Sequence, residues 1–369
     1  MTEGSSPPRP FEPCCLPTTI GSMPHRDARR ATSLMLEATP QIPSWVQMPK
    51  LGADENMMVQ FTGGIPGAVR EGDRVVLDAG AEKFIDQQTA FFESYLAATG
   101  EGSLAGLEYF ALTPACAAGF FEMLGRLADI EGMVMPKGQV TGPVTLGLNL
   151  LDRKGRSAYY DETLRELVVK TVAMKARWQV RRLRAFGGRA MMFLDEPALL
   201  GFGSSMFITI GRDDVTRDID EAVAAIHGEG GLAGVHCEEN TDWSVLMGTD
   251  LDILDFDAYD HLRAITLYPD ELRAFFGRGG MLGWGLVPTL DPGAAARETV
   301  PSLLDRFERG ADVFEGMGFD RDLILRRALV TPSCGMGGVL TEPLAERVLG
   351  LLRGLSEELR RRHGFIAGP

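Results

Sequence analysis

The feature that most constrains this chain is a rhythm of short apolar runs, each stopped by polar residues, alternating with longer stretches of helical period. Eight such runs follow in order, at 18–24, 44–48, 138–143, 190–194, 232–236, 251–257, 281–287 and 328–331. Helical patterns lie at 26–37, 81–98, 112–130, 161–186, 213–228, 294–316 and 342–363. In the fourth of these, Leu164, Leu167, Val168 and Val172 recur on one stripe. Strands alternating with helices call for a parallel sheet, and eight units can close into a barrel. The expected fold is α/β: a single (β/α)8 TIM-type barrel over residues 17–369, with a long helical insertion after the second strand, from Pro49 to about Lys137. No GxGxxG follows a strand to favour the alternative, an open doubly wound sheet. Residues 1–16, rich in Pro and Ser, read as a mobile N-terminal arm.

Charge and composition exclude several roles. Acidic residues outnumber basic ones 51 to 37, a net charge of −14, and such a surface repels the phosphate backbone of nucleic acids. No apolar run reaches the roughly 18 residues that span a bilayer, so no membrane association is expected. The N-terminus lacks a basic segment followed by an apolar one, which makes cytoplasm the expected location. Five cysteines, at 14, 15, 116, 237 and 334, are odd in number and irregularly spaced. They read as reduced thiols, free for metal binding or catalysis.

The chemistry-bearing residues gather just after the strand ends, the face where barrel enzymes act. In the run from Leu232 to Glu239, His236 and Glu238 share a face, and Cys237 points opposite unless the strand twists. Asp255 and Asp257 likewise share a face, and Cys334 sits in the turn Pro332-Ser333-Cys334-Gly335. One His, one Cys and one or two carboxylates suit Zn2+ with an open position. Asp195, in Asp195-Glu196-Pro197, can hold a substrate ammonium or act as a base. Gly21, in Ile20-Gly21-Ser22, permits close approach of backbone to a ligand. Glu55 belongs to a polar triplet, Asp54-Glu55-Asn56, on the insertion. Gly63-Gly64 lacks the Lys-Ser/Thr of a phosphate loop. The plainer alternatives are a hydrogen-bonded rim histidine, an inert buried thiol at Cys334 and a loop-capping Asp195.

Taken together, Ile20-Gly21-Ser22, Thr141-Gly142-Pro143-Val144-Thr145, Asp195-Glu196-Pro197-Ala198-Leu199, His236 and Pro332-Ser333-Cys334-Gly335 resemble, in order, the catalytic barrel of cobalamin-independent methionine synthase. That superfamily also holds uroporphyrinogen decarboxylase. The resemblance implies a zinc ion that activates homocysteine as a thiolate for methyl transfer. It implies His236, Cys334 and Asp257 as metal ligands, Asp195 on the amino-acid ammonium, and the Ile20-Gly21-Ser22 backbone, with Glu55 nearby, on the rest of the substrate. Three departures stand out. Glu238 occupies the place of a family cysteine, with Cys237 as the alternative ligand; the histidine expected after the seventh strand is missing; and the additional N-terminal barrel that helps bind methyl-folate has no counterpart. The implied donor is therefore a methyl-corrinoid, free or protein-bound, as in the short single-barrel relatives. The alternatives are a metal-free decarboxylase-like lyase and a lapsed barrel that only binds a thiol or corrinoid.

Overall fold

The computed structural model of the chain describes residues 11–100, 106–203, 207, 209–238 and 241–366. Ten strands are formed among them: β1 (Leu16–Pro17), β2 (Ala68–Glu71), β3 (Arg74–Leu77), β4 (Lys137–Thr141), β5 (Leu151–Asp152), β6 (Met191–Asp195), β7 (Leu232–Cys237), β8 (Ile253–Phe256), β9 (Met281–Val287) and β10 (Ala328–Pro332). Seven make one parallel sheet in the order β1-β10-β9-β8-β7-β6-β4. Its strands are apolar on both faces because both faces are covered, as parallel sheets require. The period of two sorts each strand between two cores. Leu16, Met191, Phe193, Leu232, Ile253, Met281 and Leu329 cluster on the inner face with Ile42 and Met135. Met192, Leu194, Val235, Leu254, Leu282 and Trp284 belong to the larger outer cluster, shared with the helices. One inner cluster that draws on strands from β1 round to β6 means the sheet is curled about it.

Eight strands were expected, and the run at 44–48 forms no continuous ladder. It makes isolated parallel bridges instead, Ser44 to Lys137 and Gln47 to Ser22. Its amides and carbonyls reach both edges of the sheet: Gln47 N donates to Gly21 O at 3.1 Å, and Lys137 N to Pro43 O at 2.8 Å. The ladder is interrupted for local reasons. Pro43 has no amide to donate, and Gly21 holds a positive φ of 133° that carries the chain across Gln139. A Cβ at Gly21 would fall on the Gln139 side-chain amide.

Helices follow the expected stripes with shifts at their ends. The long one spans Glu162–Gly187, capped by Asp161 and closed by Gly188 in the left-handed region. The stretch 294–316 divides into Pro292–Arg297 and Val300–Gly316, because Thr299 accepts from the Ser302 amide and Pro301 stands in the new first turn. The stretch 112–130 shortens to Ala118–Leu124 and a 3-10 turn, Leu127–Asp129. The insertion, expected to be helical without strands of its own, carries the hairpin β2-β3, which pairs with β5 from beyond it in a small sheet ordered β2-β3-β5. Its hairpin turns at Gly72, whose φ is +63°. Residues 1–10 of the expected arm lie outside the described residues. Its end is held: the Cys14 and Cys15 amides donate to Arg326 O and Ala328 O at 3.1 and 2.8 Å. No helix among the described residues is long and apolar enough to cross a membrane.

One buried contact ties the ends of β4 and β6 together. Glu196 accepts from the amides of Val144 (3.0 Å) and Thr145 (2.8 Å) and from the Thr145 hydroxyl (2.6 Å). Gly142 is required beside it, since a Cβ there would fall on the carboxylate. Burial pushes the Glu196 carboxyl up to about 7 in spite of these donors. Glu196→Ala leaves the donors buried and unmet, so urea denaturation should show a loss of about 2–4 kcal/mol.

Candidate functional site

Sheet register sets the site. Thr141 lies beside Asp195, Asp195 beside His236, His236 beside Asp255, and Asp255 beside Gly283. A carboxylate, an imidazole and a second carboxylate therefore stand in a row near the C-terminal ends of three adjacent strands. The row needs Gly283, because a Cβ there would fall on Asp255 Oδ2.

His236 is 2% exposed, and its Nδ1 lies 2.7 Å from Asp255 Oδ1. The carboxylate accepts, so in the neutral ring the proton sits on Nδ1 and Nε2 carries the lone pair. That Nε2 is buried and has no hydrogen-bond partner. Burial pulls the imidazole pKa down, but the Asp255 bond and the charges of Asp255, Asp195 and Glu238 outweigh it and hold the pKa above the ordinary value.

Ligand atoms of His236, Glu238 and Cys334 all lie within 4.8 Å of one another. Cys334 arrives from the turn after β10, which Ser22 fixes in place. The Met336 amide donates to Ser22 O at 3.0 Å and the Gly337 amide to Ser22 Oγ at 3.1 Å. Gly335 makes room, since a Cβ there would fall on the same hydroxyl. Burial, and then the charge and hydrogen bond of Glu238, push the Cys334 thiol well above its ordinary pKa. Without a cation this thiol stays protonated.

The site opens into a cavity of about 490 Å³ lined by Asp195, His236, Glu238 and Cys334, with Ile20, Ser22 and Glu55 on its walls. That volume suits a small-molecule ligand. Asp195 Oδ1 is buried without a partner. Burial pushes the Asp195 carboxyl up to about 6, against the pull of His236 and Lys137. Lys137 lies deeper, with Nζ donating to Ile20 O at 3.2 Å and 4.2 Å from the Phe193 ring centre. Burial lowers its pKa to about 8 although Asp195 and Asp255 oppose the shift. Glu55 is a clamp as well as a wall. It accepts from the amides of Ala118 (2.7 Å) and Met48 (3.2 Å) and from Gln60 Nε2 (3.2 Å).

At β7 the first of the two alternatives faces the cavity, and at β8 the expected residue is placed elsewhere. Glu238, not Cys237, faces the cavity; Cys237 is fully buried in the outer cluster, as strand alternation demands. Asp257 is outside the group around His236. β8 ends at Phe256, so Asp257 turns away with the chain and its Oδ1 accepts from the Tyr259 (2.8 Å) and Asp260 (3.0 Å) amides. Asp255, on the same face one step earlier, takes the inward place beside His236. Sequence reasoning missed the partnership of Asp255 with His236, and it missed Lys137. The alternation Lys137, Gln139, Thr141 on β4 was the available signal for an inward polar face.

No protein-family profile and no curated protein sequence matches the chain. Among solved structures the fold is similar to that of a methyltransferase from Methanosarcina mazei, with a TM-score of 0.54, 13% identity, and 96% of this chain and 95% of that one covered.

Burial raises the Asp257 carboxyl from 3.8 to about 6, more strongly than its two amide donors lower it. A raised pKa contributes stability in full below the unfolded value, and that contribution is lost as pH rises through the folded one. Between pH ~4 and ~7 this group should therefore cost the fold on the order of 2–3 kcal/mol. Asp257→Asn keeps the Oδ1 acceptor and removes the titration. Urea denaturation across this range should show a flatter pH dependence and higher stability near neutrality than the wild type.

Proposed function

We propose that this chain is a methyltransferase in which His236, Glu238 and Cys334 hold a Zn2+ ion and a small thiol, homocysteine-like, accepts the methyl group. The observation that carries the reading is the lone pair of His236 Nε2, buried and unpartnered, within reach of a carboxylate and a thiol. These groups fit the ion. A buried nitrogen acceptor with no donor is costly, and a histidine held through its other nitrogen by a carboxylate is the usual second-shell arrangement of a metal ligand. Three protein ligands leave one tetrahedral position for a substrate. The likeness in fold to a protein described as a methyltransferase supports the class of reaction.

When bound, zinc would lower the pKa of a coordinated thiol so that it is a thiolate, the nucleophilic form, at neutral pH. The protein's residues do the rest. Asp255 fixes the His236 tautomer and ring angle. Asp195 Oδ1, unpartnered beside the cavity, receives the ammonium of an amino-acid substrate. The Ile20-Gly21-Ser22 backbone lies at the same wall to take its carboxylate, and Glu55 braces the insertion that covers it. A cavity of about 490 Å³ admits an amino-acid-sized acceptor but not a whole corrinoid. A methyl-corrinoid donor, free or carried by a protein, would therefore present its methyl group at the mouth. In this reading the stretch 44–48 is the remaining strand of a closed (β/α)8 barrel, residues 17–369 are one catalytic unit, and the chain works in the cytoplasm.

A second reading is a metal-free lyase of the uroporphyrinogen-decarboxylase type. It is favoured by the buried pair Asp195 and Lys137, held at about 6 and about 8, which can exchange a proton near neutrality. Strong chelators separate the two, since the lyase keeps its activity in them.

Protein purified without chelator should carry about one zinc per chain by elemental analysis. Cys334→Ser should lose it, Cys237→Ser should keep it, and Asp255→Asn should bind zinc about 10–100-fold more weakly. Less than about half an equivalent of zinc in the wild type would count against the metal centre.

A further inference from the structure

A second cavity, of about 510 Å³, lies within the insertion, and Lys175 lines it. Lys175 projects from the helix Glu162–Gly187 and is only 2% exposed. Its Nζ makes one described hydrogen bond, a long 3.4 Å contact to Phe110 O. Burial lowers its pKa to about 8, and the one charge partner opposing that is the Cys116 sulfur. An ammonium taken out of water without a counter-ion is costly, by several kcal/mol in the general case.

The hydroxyls, the Gln60 amide and the other charged groups at this cavity are already engaged. Gln60 Nε2 donates to Glu55 and to Cys116 O, the Thr62 hydroxyl to Val59 O, the Tyr109 hydroxyl to Gly64 O, and the Thr113 hydroxyl to Cys116 Sγ. Arg70 is paired with Asp54 at 3.0 Å. The unspent charge is that of Lys175. It comes from a distant helix to the loop Thr62–Gly67, which has no lysine in its own sequence. The same cavity also has apolar walls at Val59, Ile65 and Val75.

We propose that this cavity is a second binding site, for a small organic acid whose carboxylate pairs with Lys175 and whose apolar body rests on Val59, Ile65 and Val75. The site stands apart from the zinc reading, because none of its lining residues is a proposed ligand of that ion. It adjoins the first cavity through Gln60, which lines the second and accepts at Oε1 from Gln47 Nε2 at 2.7 Å, Gln47 being on the wall of the first.

Benzoate, a carboxylate on an apolar ring, is the probe. Calorimetric titration of the full chain should show saturable binding of a single benzoate. Lys175→Gln should weaken it at least about thirtyfold, the loss expected on removing one partner of a buried charge pair. Val75, half-buried on the apolar wall, offers a second variant that leaves the lysine in place: Val75→Asp sets a like charge where the probe's ring rests, and it too should weaken binding at least about tenfold. Cys334→Ser should bind benzoate as the wild type does, which separates this cavity from the first. Circular dichroism confirms that each variant is folded. No saturable binding by the wild type, or unchanged affinity in Lys175→Gln or Val75→Asp, would overturn the proposal.

Discussion

The structure turns on one buried contact, the Nδ1–H of His236 against the Asp255 carboxylate. Both groups are inside the curled sheet, where an unpaired charge or an unmet polar atom is costly. Pairing the imidazole with the acid makes the placement tolerable, and it does so from one side of the ring only. The neighbouring strands adapt to it. β9 presents Gly283 because Asp255 fills the space of a side chain, and β7 presents Gly234 because the Phe193 ring fills another. Beneath lies an apolar layer that excludes water and keeps the contact strong. The His236 Nε2 is left without a partner at the cavity by the strand ends, which His236 lines.

Charge balance at that end of the sheet is the next constraint. Asp195, Asp255 and Glu238 bring three carboxyl groups to one small volume, and Lys137 and His236 are the basic groups set among them. The protein lowers the mismatch by protonation, holding Asp195 up near 6 and the Cys334 thiol well above its ordinary value. A divalent cation between Glu238, Cys334 and His236 would lower it differently, by letting the Cys334 thiol ionise beside the carboxylates. Cys334, whose thiol is penalised most as an anion there, is also one of the three groups whose ligand atoms converge.

Much of this was legible in the sequence, for definable reasons. Strand positions could be read because a run covered on both faces has little choice of residue. The pairing of positions 236 and 238 on one face, with 237 opposite, follows from the period of two, and only the twist of the strand end left it open. The place of Asp257 could not be read, because the same period put it level with Asp255. What separated them was where the strand stopped, and strand ends depend on turn contacts such as the Tyr259 and Asp260 amides. Lys137 was hidden because a lysine at a strand start reads as a solvated edge, whereas here the sheet curls over it. The hairpin at Gly72 was missed although its alternation and turn residue were present, because the insertion reads as a Gly-rich loop and two helices with no strand set of its own.

The insertion also explains how a site at the strand ends can be covered without a lid made of regular structure. Glu55 holds the chain at 48, 60 and 118 through three donors to one carboxylate, so segments far apart in sequence meet at one anchor. Gln60 extends that anchor in both directions, to Gln47 on one side and to Cys116 on the other. Gln47, Gln60 and Glu55 thus form a line of side-chain hydrogen bonds that runs from the lining of one cavity to the lining of the other. Paired amides fix donors and acceptors in direction as well as distance, which packed hydrocarbon does not, and this is how a segment with little regular structure holds a defined shape over the strand ends.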